Sequence, residues 1–317
     1  MSGEGFQFKL AGGRSLHVHR WLPPGPPGSV LLVLHGMAEH GARYARLGAA
    51  LNQAGIAVYA PDLPGHGLSA APDSRGHVAG RDGWAQILDA VHQLRRHLVQ
   101  EHKRPLFLLG HSMGSFLAQH YIVGHSVDHG RCLAGAILSA TTGSLGAARL
   151  PGLLMLSLQA RLYGPAHRSA LAEALTFKAF NKAFDKKKAP ARTAFDWLSR
   201  DPAEVDKYVA DPLCGFRCSA ALWVDLLSAC GSLRSRARLS HIPKALPVLL
   251  IAGSADPVSQ GVRGPELLAA AYRGAGLKDV DVRIYESGRH ELLNEIPECR
   301  DRVTAELLEW VRKRTGS

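Results

Sequence analysis

The chain has 317 residues, of which 46% are hydrophobic and 21% are charged, with a formal net charge of +11. This composition allows a large buried core and excludes intrinsic disorder. No stretch approaches the roughly 18 unbroken apolar residues of a transmembrane helix. The first residues lack a signal-peptide pattern, and the five scattered cysteines indicate free thiols in a reducing compartment. We therefore expect a soluble, cytoplasmic protein.

The positive charge is concentrated in one part of the chain. Between Gly143 and Ser240 there are 15 basic and 8 acidic side chains, a net of +7. The densest basic run contains Lys182, Lys186, Lys187, Lys188 and Arg192. No RNA-binding signature or zinc-finger spacing accompanies it, which argues against a nucleic-acid partner. We interpret the run as the solvated face of an inserted segment.

The first 142 residues alternate short strands and helices. Polar and apolar residues alternate around Gly12-Gly13 and predict an opening hairpin at 6–10 and 15–21. Continuous apolar runs predict buried strands at 30–34, 56–60, 105–109 and 133–140. Helical spacing of apolar residues predicts helices at 43–53, around 87–98 and at 113–123. Such an alternation implies an α/β fold with a mostly parallel sheet covered on both faces.

The alternation stops near Gly143 and resumes near Pro247. The segment between them has helical and loop patterns without a good buried strand. The predicted elements that follow are a strand at 247–252, a helix at 265–273, a strand at 280–285 and a last helix containing 303–311. A long insertion between two strands of one sheet is typical of a cap. We predict a core formed by residues 1–142 and 241–317, with a mainly helical cap or lid at 143–240.

A candidate nucleophile follows the strand predicted at 105–109. The sequence there, with the spacing G-x-S-x-G, is Gly110-His111-Ser112-Met113-Gly114. A serine on a tight strand-to-helix turn needs small residues two positions away on each side, because larger side chains would collide where the backbone reverses. This turn exposes the Ser112 hydroxyl and directs the Met113 N–H, at a helix N-terminus, toward a developing oxyanion.

A second oxyanion donor is expected in the loop after an earlier strand. The strand predicted at 30–34 is followed directly by His35-Gly36-Met37. Gly36 lets the backbone approach a substrate closely, and the N–H of Met37 is the candidate donor. For His35 we predict a structural hydrogen bond within the turn.

The acid and the base are expected after later strands, because this architecture places serine, acid and histidine in that chain order. Asp256 follows the strand at 247–252, and His290 follows the last strand. We predict that they are the acid and the base. The main alternative acid, Asp62, precedes the nucleophile in the chain, so we interpret it as a structural turn residue.

Metal and cofactor chemistry have little support in the sequence. Cys214 and Cys218 are spaced C-x₃-C, yet no second pair or suitably spaced histidine follows. We interpret them as structural thiols. The sequence contains neither a Rossmann fingerprint nor a Walker A loop, so we expect no cofactor and no metal.

Five motifs extend over nearly the whole chain. They are H-G-x-x-E-H-x-x-R-Y at 35–44, D-x-x-G-H-G-x-S at 62–69, G-H-S-M-G at 110–114, G-x-x-D-x-V at 253–258 and H-E-x-x-N-E at 290–295. With these motifs the sequence resembles the α/β-hydrolases of the monoacylglycerol lipase and lysophospholipase type. That group is often classed with serine hydrolases similar to proline iminopeptidase. The cap segments 195–201 and 211–214 resemble the bacterial members.

The resemblance implies a catalytic triad of Ser112, Asp256 and His290 in an α/β-hydrolase fold. It also implies an oxyanion hole formed by the N–H groups of Met37 and Met113. The animal lipases have a small residue where this chain has Met37, so the acyl preference stays open.

We therefore predict a cofactor-free serine hydrolase of carboxylic esters, with single-chain lipids such as monoacylglycerols or lysophospholipids as substrates. One alternative is a serine aminopeptidase. That activity would need acidic side chains near the cleft to hold a free α-amine, whereas the cap is basic. The other alternative is a non-catalytic ligand-binding protein on the same fold, although such proteins usually lack a triad residue.

An apolar run in the cap, from Leu150 to Leu158, leaves two interpretations open. In the first, its leucines pack on the core and roof an acyl pocket. In the second, part of the run stays exposed and dips into a lipid surface, while anionic headgroups attract the basic cap. A peripheral contact with an anionic membrane or micelle is therefore a further expectation.

Overall fold

The structure is a computed structural model that describes residues 4–128, 131–184 and 190–315. Its strands are β1 Glu4–Lys9, β2 Ser15–Trp21, β3 Ser29–Leu34, β4 Ile56–Pro61, β5 Leu106–His111, β6 Val127–Asp128, β7 Arg131–Cys132, β8 Gly135–Ser139, β9 Val248–Gly253 and β10 Val280–Tyr285. Its α-helices are α1 Ala45–Gln53, α2 Gly83–His102, α3 Met113–Gly124, α4 Arg149–Tyr163, α5 Ala170–Leu175, α6 Phe177–Asn181, α7 Pro202–Ala210, α8 Ala220–Cys230, α9 Arg236–Leu239, α10 Arg263–Gly274 and α11 Pro297–Arg312.

Eight strands form one sheet in the order β1-β2-β4-β3-β5-β8-β9-β10, and β6 pairs with β7 in a separate ribbon. Strand β2 is antiparallel to both β1 and β4. The other neighbouring strands of the sheet are parallel. The predicted opening hairpin and the mostly parallel sheet are confirmed.

Side chains of β3 alternate between two apolar clusters, one on each face of the sheet. Leu32 and Leu34 belong to the cluster that includes residues of α2, α3 and α10. Leu31 and Val33 belong to the cluster that includes residues of α1 and α11. All residues of β3 are buried. The continuous apolar run follows from this position, because a parallel strand covered by helices on both faces has no solvent side.

Between β8 and β9 the chain forms α4 to α9, and the described residues of this segment add no strand to the main sheet. Helix α8 packs against α4 and against α2 and α3 of the core. Of the basic run in this segment, Lys186, Lys187 and Lys188 lie outside the described residues. We keep 143–240 as the proposed limits of the cap.

Most predicted elements have slightly different bounds in the structure, and two of the differences have a clear local description. The helix predicted at 43–53 begins as a 3₁₀ turn, Gly41–Tyr44, and continues as α1. The strand predicted at 133–140 is shorter at both ends; at its C-terminal end, Ala140 leaves it with a φ of 53°. Strand β5 ends at His111, directly before Ser112, and β9 ends at Gly253, so both predicted site residues still follow their strands.

Candidate active site

Ser112 occupies a tight turn between β5 and α3. Its backbone dihedral angles are φ 52° and ψ −119°, a conformation that residues other than glycine rarely adopt. A Cβ atom on Gly110 would collide with the carbonyl group of Gly114, and one on Gly114 would collide with the carbonyl group of Leu34. The spacing G-x-S-x-G is therefore a steric requirement of this turn.

The loop after β3 lies against this serine. A Cβ atom on Gly36 would lie 3.2 Å from Ser112 Cβ and 2.8 Å from Glu39 Oε1, so the position requires glycine. Within the described residues, the N–H groups of Met37 and Met113 donate to no protein acceptor. Met113 is also the first residue of α3, where the helix dipole favours negative charge. Both predicted oxyanion donors thus have no acceptor among the described protein groups.

His290 and Asp256 form a buried hydrogen-bonded pair. His290 Nδ1 lies 2.9 Å from Asp256 Oδ1. The other carboxylate oxygen, Oδ2, accepts from the Ser259 hydroxyl at 2.6 Å, and Oδ1 also accepts from the Val258 N–H at 2.9 Å. Burial alone would raise the pKa of Asp256, but His290 and these donors bring it below its ordinary value. The carboxylate is therefore ionised and able to orient the imidazole.

Two aromatic rings pack against the imidazole of His290. The ring of His111, the residue before Ser112, lies 4.8 Å away between centroids, and the indole of Trp197 lies 4.7 Å away. Burial, together with the neighbouring His290, lowers the pKa of His111 to about 4, so this ring is neutral near pH 7. The contact between the two histidines joins the turn of Ser112 to the loop after β10 that carries His290, which we call the histidine loop.

The proposed cap is hydrogen-bonded to the loop that carries His290. The N–H of Glu291 donates to the carbonyl oxygen of Leu198 at 2.8 Å. A terminal nitrogen of Arg289 donates to the carbonyl oxygen of Ser199 at 2.9 Å. The position of His290 thus depends on the cap as well as on the core.

His35 and Asp62 have the contacts of turn residues. His35 Nε2 accepts from the N–H of Leu63 at 2.9 Å. The carboxylate of Asp62 accepts from the N–H groups of Gly41 and Leu68, each at 2.7 Å. These bonds fix the loops after β3 and β4 against each other, so both residues have a structural role in these loops.

An apolar cavity of about 690 Å³ lies between the cap and the loop that carries Asp256. Its walls come from α4, α5, α6 and α8 and from the residues after Asp256, namely Pro257, Val258 and Gln260. Among its described wall residues, Arg149 is the only charged one. The Arg149 guanidinium donates to the carbonyl oxygen of Leu227 at 3.1 Å. The cavity is therefore suited to an apolar chain.

Two groups of side chains place metal-type donor atoms within 4.8 Å of one another. The first group is His19, His40 and Asp62. The second group is His40, Asp211 and Cys214. Hydrogen bonds already join these side chains, at 3.2 Å between His19 and Asp62 and at 2.8 Å between His40 and Asp211. Burial also raises the pKa of the Cys214 thiol, which disfavours the thiolate that a metal binds.

Three charged residues without a role predicted from the sequence connect the loops of the site. Arg43 donates to Glu39 at 2.7 Å and to the two oxygens of Glu291 at 2.7 and 2.6 Å. The motifs at 35–44 and 290–295 contain all three residues. However, Arg43 and Glu291 are 248 positions apart, so the sequence gives no sign that they meet.

The sequence profile of the Hydrolase_4 family, described as serine aminopeptidase, S33, matches residues 25–297. The chain belongs to this family. This S33-family protein is 30% identical over 325 aligned residues to the monoglyceride lipase of Homo sapiens, covering 97% of this chain and 90% of that protein. It is 28% identical to the monoacylglycerol lipase of Mycolicibacterium smegmatis, covering 96% of this chain and 95% of that one.

Solved structures show the fold of this S33-family protein. A thermostable carboxyl esterase from Bacillus coagulans, solved in complex with glycerol, matches with a TM-score of 0.87 at 24% identity and covers 99% of both chains. With its eight-stranded, mostly parallel sheet flanked by helices, the chain has the α/β-hydrolase fold. The fold predicted from the sequence is confirmed.

Proposed function

We propose that this protein is a serine hydrolase of carboxylic esters that acts on single-chain lipids, with monoacylglycerols as preferred substrates. The observation that carries the proposal is the buried His290–Asp256 pair, 2.9 Å apart, beside the strained turn of Ser112. These residues supply a nucleophile, a base and a carboxylate that orients the base, which are the parts of an acyl-transfer site. The monoglyceride lipases among the relatives support the same activity.

In the proposed reaction, Ser112 Oγ attacks the ester carbonyl carbon while His290 Nε2 takes its proton. Asp256 accepts the Nδ1–H of His290 and so holds the tautomer whose Nε2 can act as a base. The carbonyl oxygen becomes an oxyanion, which the N–H groups of Met37 and Met113 stabilise. The ester C–O bond then breaks, and His290 gives its proton to the leaving alcohol. His290 then deprotonates a water molecule, whose oxygen attacks the acyl carbonyl carbon. The bond between that carbon and Ser112 Oγ breaks, Oγ takes the proton back from His290, and the fatty acid is released.

The cavity supports an acyl chain as the bound group. Its volume of about 690 Å³ is in the range of small-molecule sites. Leu156 and Trp223 belong to its apolar wall. An aminopeptidase needs a carboxylate to pair with a free α-amine, and the described wall residues include no Asp or Glu. A non-catalytic ligand-binding role is disfavoured because Ser112, Asp256 and His290 are all present.

We also propose that α4 contacts a lipid surface. Its exposed leucines recur at every fourth residue and are each between 56% and 72% exposed, at Leu150, Leu154, Leu158 and Leu162. An apolar stripe beside an exposed cation, here Arg161, is what peripheral binding to an anionic surface requires. Leu156 is buried and lines the cavity instead, so the two interpretations of this run apply to different leucines. Among the described helices, none has the length and apolar character needed to cross a bilayer.

A fluorophosphonate probe and a substrate panel test the proposed activity. The probe should label Ser112 stoichiometrically, and Ser112→Ala should lower turnover on the order of 10⁶-fold without changing thermal unfolding. Ser157→Ala, which alters an exposed serine of α4, should behave as the wild type. Across a panel of p-nitrophenyl acetate, monooleoylglycerol, lysophosphatidylcholine and proline p-nitroanilide, we expect the highest kcat/KM for monooleoylglycerol. Labelling of another serine, or a preference for the proline amide, would contradict the proposal.

A further inference from the structure

One buried cation joins the loop after β3 to the histidine loop. Arg43 pairs with Glu39, two residues after Met37, and with Glu291, the residue after His290. We propose that Arg43 is a positioning residue, whose guanidinium holds the Met37 N–H and the His290 imidazole at the spacing that ester hydrolysis requires. This inference rests on the proposed function, because it assigns Arg43 a task in that reaction.

The pairing depends on the planar shape of the guanidinium. Both terminal nitrogens of Arg43 donate to Glu291, and one of them also donates to Glu39. A lysine ammonium is a point charge and cannot reproduce this fork. The side chains of Arg43, Glu39 and Glu291 are 11%, 4% and 6% exposed. Removal of the guanidinium would therefore leave two carboxylates buried without their cation.

The ion pair between Arg43 and Glu39 persists over the pH range in which the enzyme can be assayed. Burial alone would raise the pKa of Glu39, but Arg43 and neighbouring groups lower it to about 2. Burial alone would lower the pKa of Arg43, but Glu291 and Glu39 hold it above its ordinary value. Both partners stay charged, so the positioning role needs no change of protonation.

Glu39 also fixes the backbone next to Met37. Its Oε1 accepts the N–H of Gly36 at 2.5 Å, on one side of Met37. On the other side, the carbonyl oxygen of Ala38 accepts from the Tyr208 hydroxyl at 2.9 Å. Ala38 has a φ of 55°, a conformation that persists in alanine only when the surroundings hold it. Side chains therefore fix both neighbours of Met37 in the chain.

Tyr208 also contacts Arg43 and connects the assembly to the cap. The guanidinium carbon of Arg43 lies 4.8 Å from the centroid of the Tyr208 ring, within cation–π distance. Tyr208 belongs to α7, in the proposed cap. Arg43 thus contacts Glu39 in the loop after β3, Glu291 in the histidine loop and Tyr208 in the proposed cap. A displacement of about 1 Å among such groups costs about 100-fold in rate.

Arg43→Met and Arg43→Lys are the test variants, and Arg314→Met is the matched control. Arg314 also pairs with one carboxylate through two of its nitrogens: Nε donates to Asp279 at 3.2 Å, and Nη2 donates to both Asp279 oxygens at 2.8 and 2.7 Å. Asp279 lies just before β10, at the end of that strand opposite the histidine loop. The control therefore removes another arginine–carboxylate ion pair, with a more exposed carboxylate, without touching the site.

The readouts are the rate constant for fluorophosphonate labelling of Ser112, and kcat and KM for p-nitrophenyl acetate. Oxyanion donors act on the transition state more than on the bound ester, so Arg43→Met should lower kcat and the labelling rate about 100-fold and leave KM within about threefold. Arg43→Lys should lower both rates about tenfold, because lysine keeps the positive charge but cannot reproduce the planar, forked hydrogen bonding of the guanidinium. Arg314→Met should lower the melting temperature and keep the wild-type labelling rate.

Thermal unfolding is recorded for each variant, and Glu291→Gln replaces Arg43→Met if the latter does not fold. Glu291→Gln keeps the pair between Arg43 and Glu39, and we expect a smaller loss of kcat at unchanged KM. A folded Arg43→Met that is labelled at the wild-type rate would overturn the positioning role and leave the proposed function standing. Wild-type protein that is not labelled at Ser112 would refute the proposed function itself.

Discussion

The indole of Trp197 lies 4.7 Å from the imidazole of His290 between ring centroids, at an interplanar angle of 43°, and both residues are buried. Trp197 belongs to the proposed cap and His290 to the core, so the cap forms one wall around the proposed base. In the proposed reaction this imidazole becomes a cation when it takes the proton of Ser112. An aromatic neighbour stabilises such a cation by about 0.5–2 kcal/mol.

Trp197→Leu should therefore lower kcat for p-nitrophenyl acetate about tenfold, whereas Trp197→Phe, which keeps an aromatic ring, should lose less. Trp223→Leu is the control, because Trp223 is also a buried cap aromatic but lines the acyl cavity. It should raise KM for long-chain esters and leave kcat for the acetate ester unchanged. Equal kcat values for Trp197→Leu and Trp223→Leu would exclude a specific role of the indole at His290.

Asp256 and Asp62 are both buried carboxylates bonded to a histidine, and their substitution by Asn should have different effects. Asp256→Asn should lower kcat about 10⁴-fold, because the imidazole of His290 then favours the wrong tautomer. Asp62→Asn should act mainly on stability, since Asp62 supports backbone N–H groups. The measurements are kcat and the free energy of unfolding in urea for each variant. The reverse pattern would mean that Asp62 is the acid of the triad.

The locations of Ser112, Asp256 and His290 could be predicted because each residue follows a strand of the parallel part of the sheet, and the strands before Ser112 and Asp256 are buried throughout. The carboxyl ends of parallel strands meet at one edge of a sheet, so chain order alone brings these residues near each other. The hydrogen bond between Asp256 and His290 is the observed consequence. Glycine spacing around Ser112 added a steric signal that is local in sequence.

Contacts between segments far apart in the chain could not be predicted in the same way. Arg43 meets Glu291 within the core although the two residues are 248 positions apart, and Trp197 meets His290 only once the proposed cap has folded over the sheet edge. No local pattern encodes such pairs. In α4, leucines occur on more than one face, so the sequence could not tell the exposed Leu154 from the buried Leu156.

Stability should fall as the pH drops from about 6.5 to about 4. Burial is the main cause that lowers the pKa of His66 to about 3 and those of His111 and His120 to about 4. In this window the unfolded chain binds protons that the folded protein does not, so acid favours unfolding. Each such histidine adds up to about 1.4 kcal/mol per pH unit to the slope.

Urea unfolding at several pH values between 4.5 and 7.5 measures this slope. His120→Gln removes one of the three groups and should make the slope shallower by up to about 1.4 kcal/mol per pH unit. Gln100→Ala, which alters an exposed residue of α2 that does not titrate, should leave it unchanged. A free energy of unfolding that is constant between pH 4.5 and 6.5 would show that these buried rings are protonated in the folded protein.

The exposed stripe of α4 should control binding to lipid surfaces without controlling the chemistry. Replacing Leu154 and Leu158 with Ser removes two exposed leucines, each worth about 2 kcal/mol when transferred from water to hydrocarbon. The double variant should bind phosphatidylcholine vesicles containing phosphatidylglycerol at least about tenfold more weakly. Hydrolysis of vesicle-borne monooleoylglycerol should slow accordingly. Hydrolysis of p-nitrophenyl acetate and the melting temperature should stay at wild-type values.

Leu156→Ala is the matched control for this experiment, because Leu156 lies on the same helix but is buried. It should lower the free energy of unfolding by about 2–5 kcal/mol through the cavity that it creates. Added salt should weaken binding of the wild type to the anionic vesicles, since screening shortens the reach of Arg161 and its basic neighbours, and should leave binding to pure phosphatidylcholine unchanged. If the double variant instead loses activity on both substrates and melts at a lower temperature, Leu154 and Leu158 belong to the core and α4 does not dock on lipid.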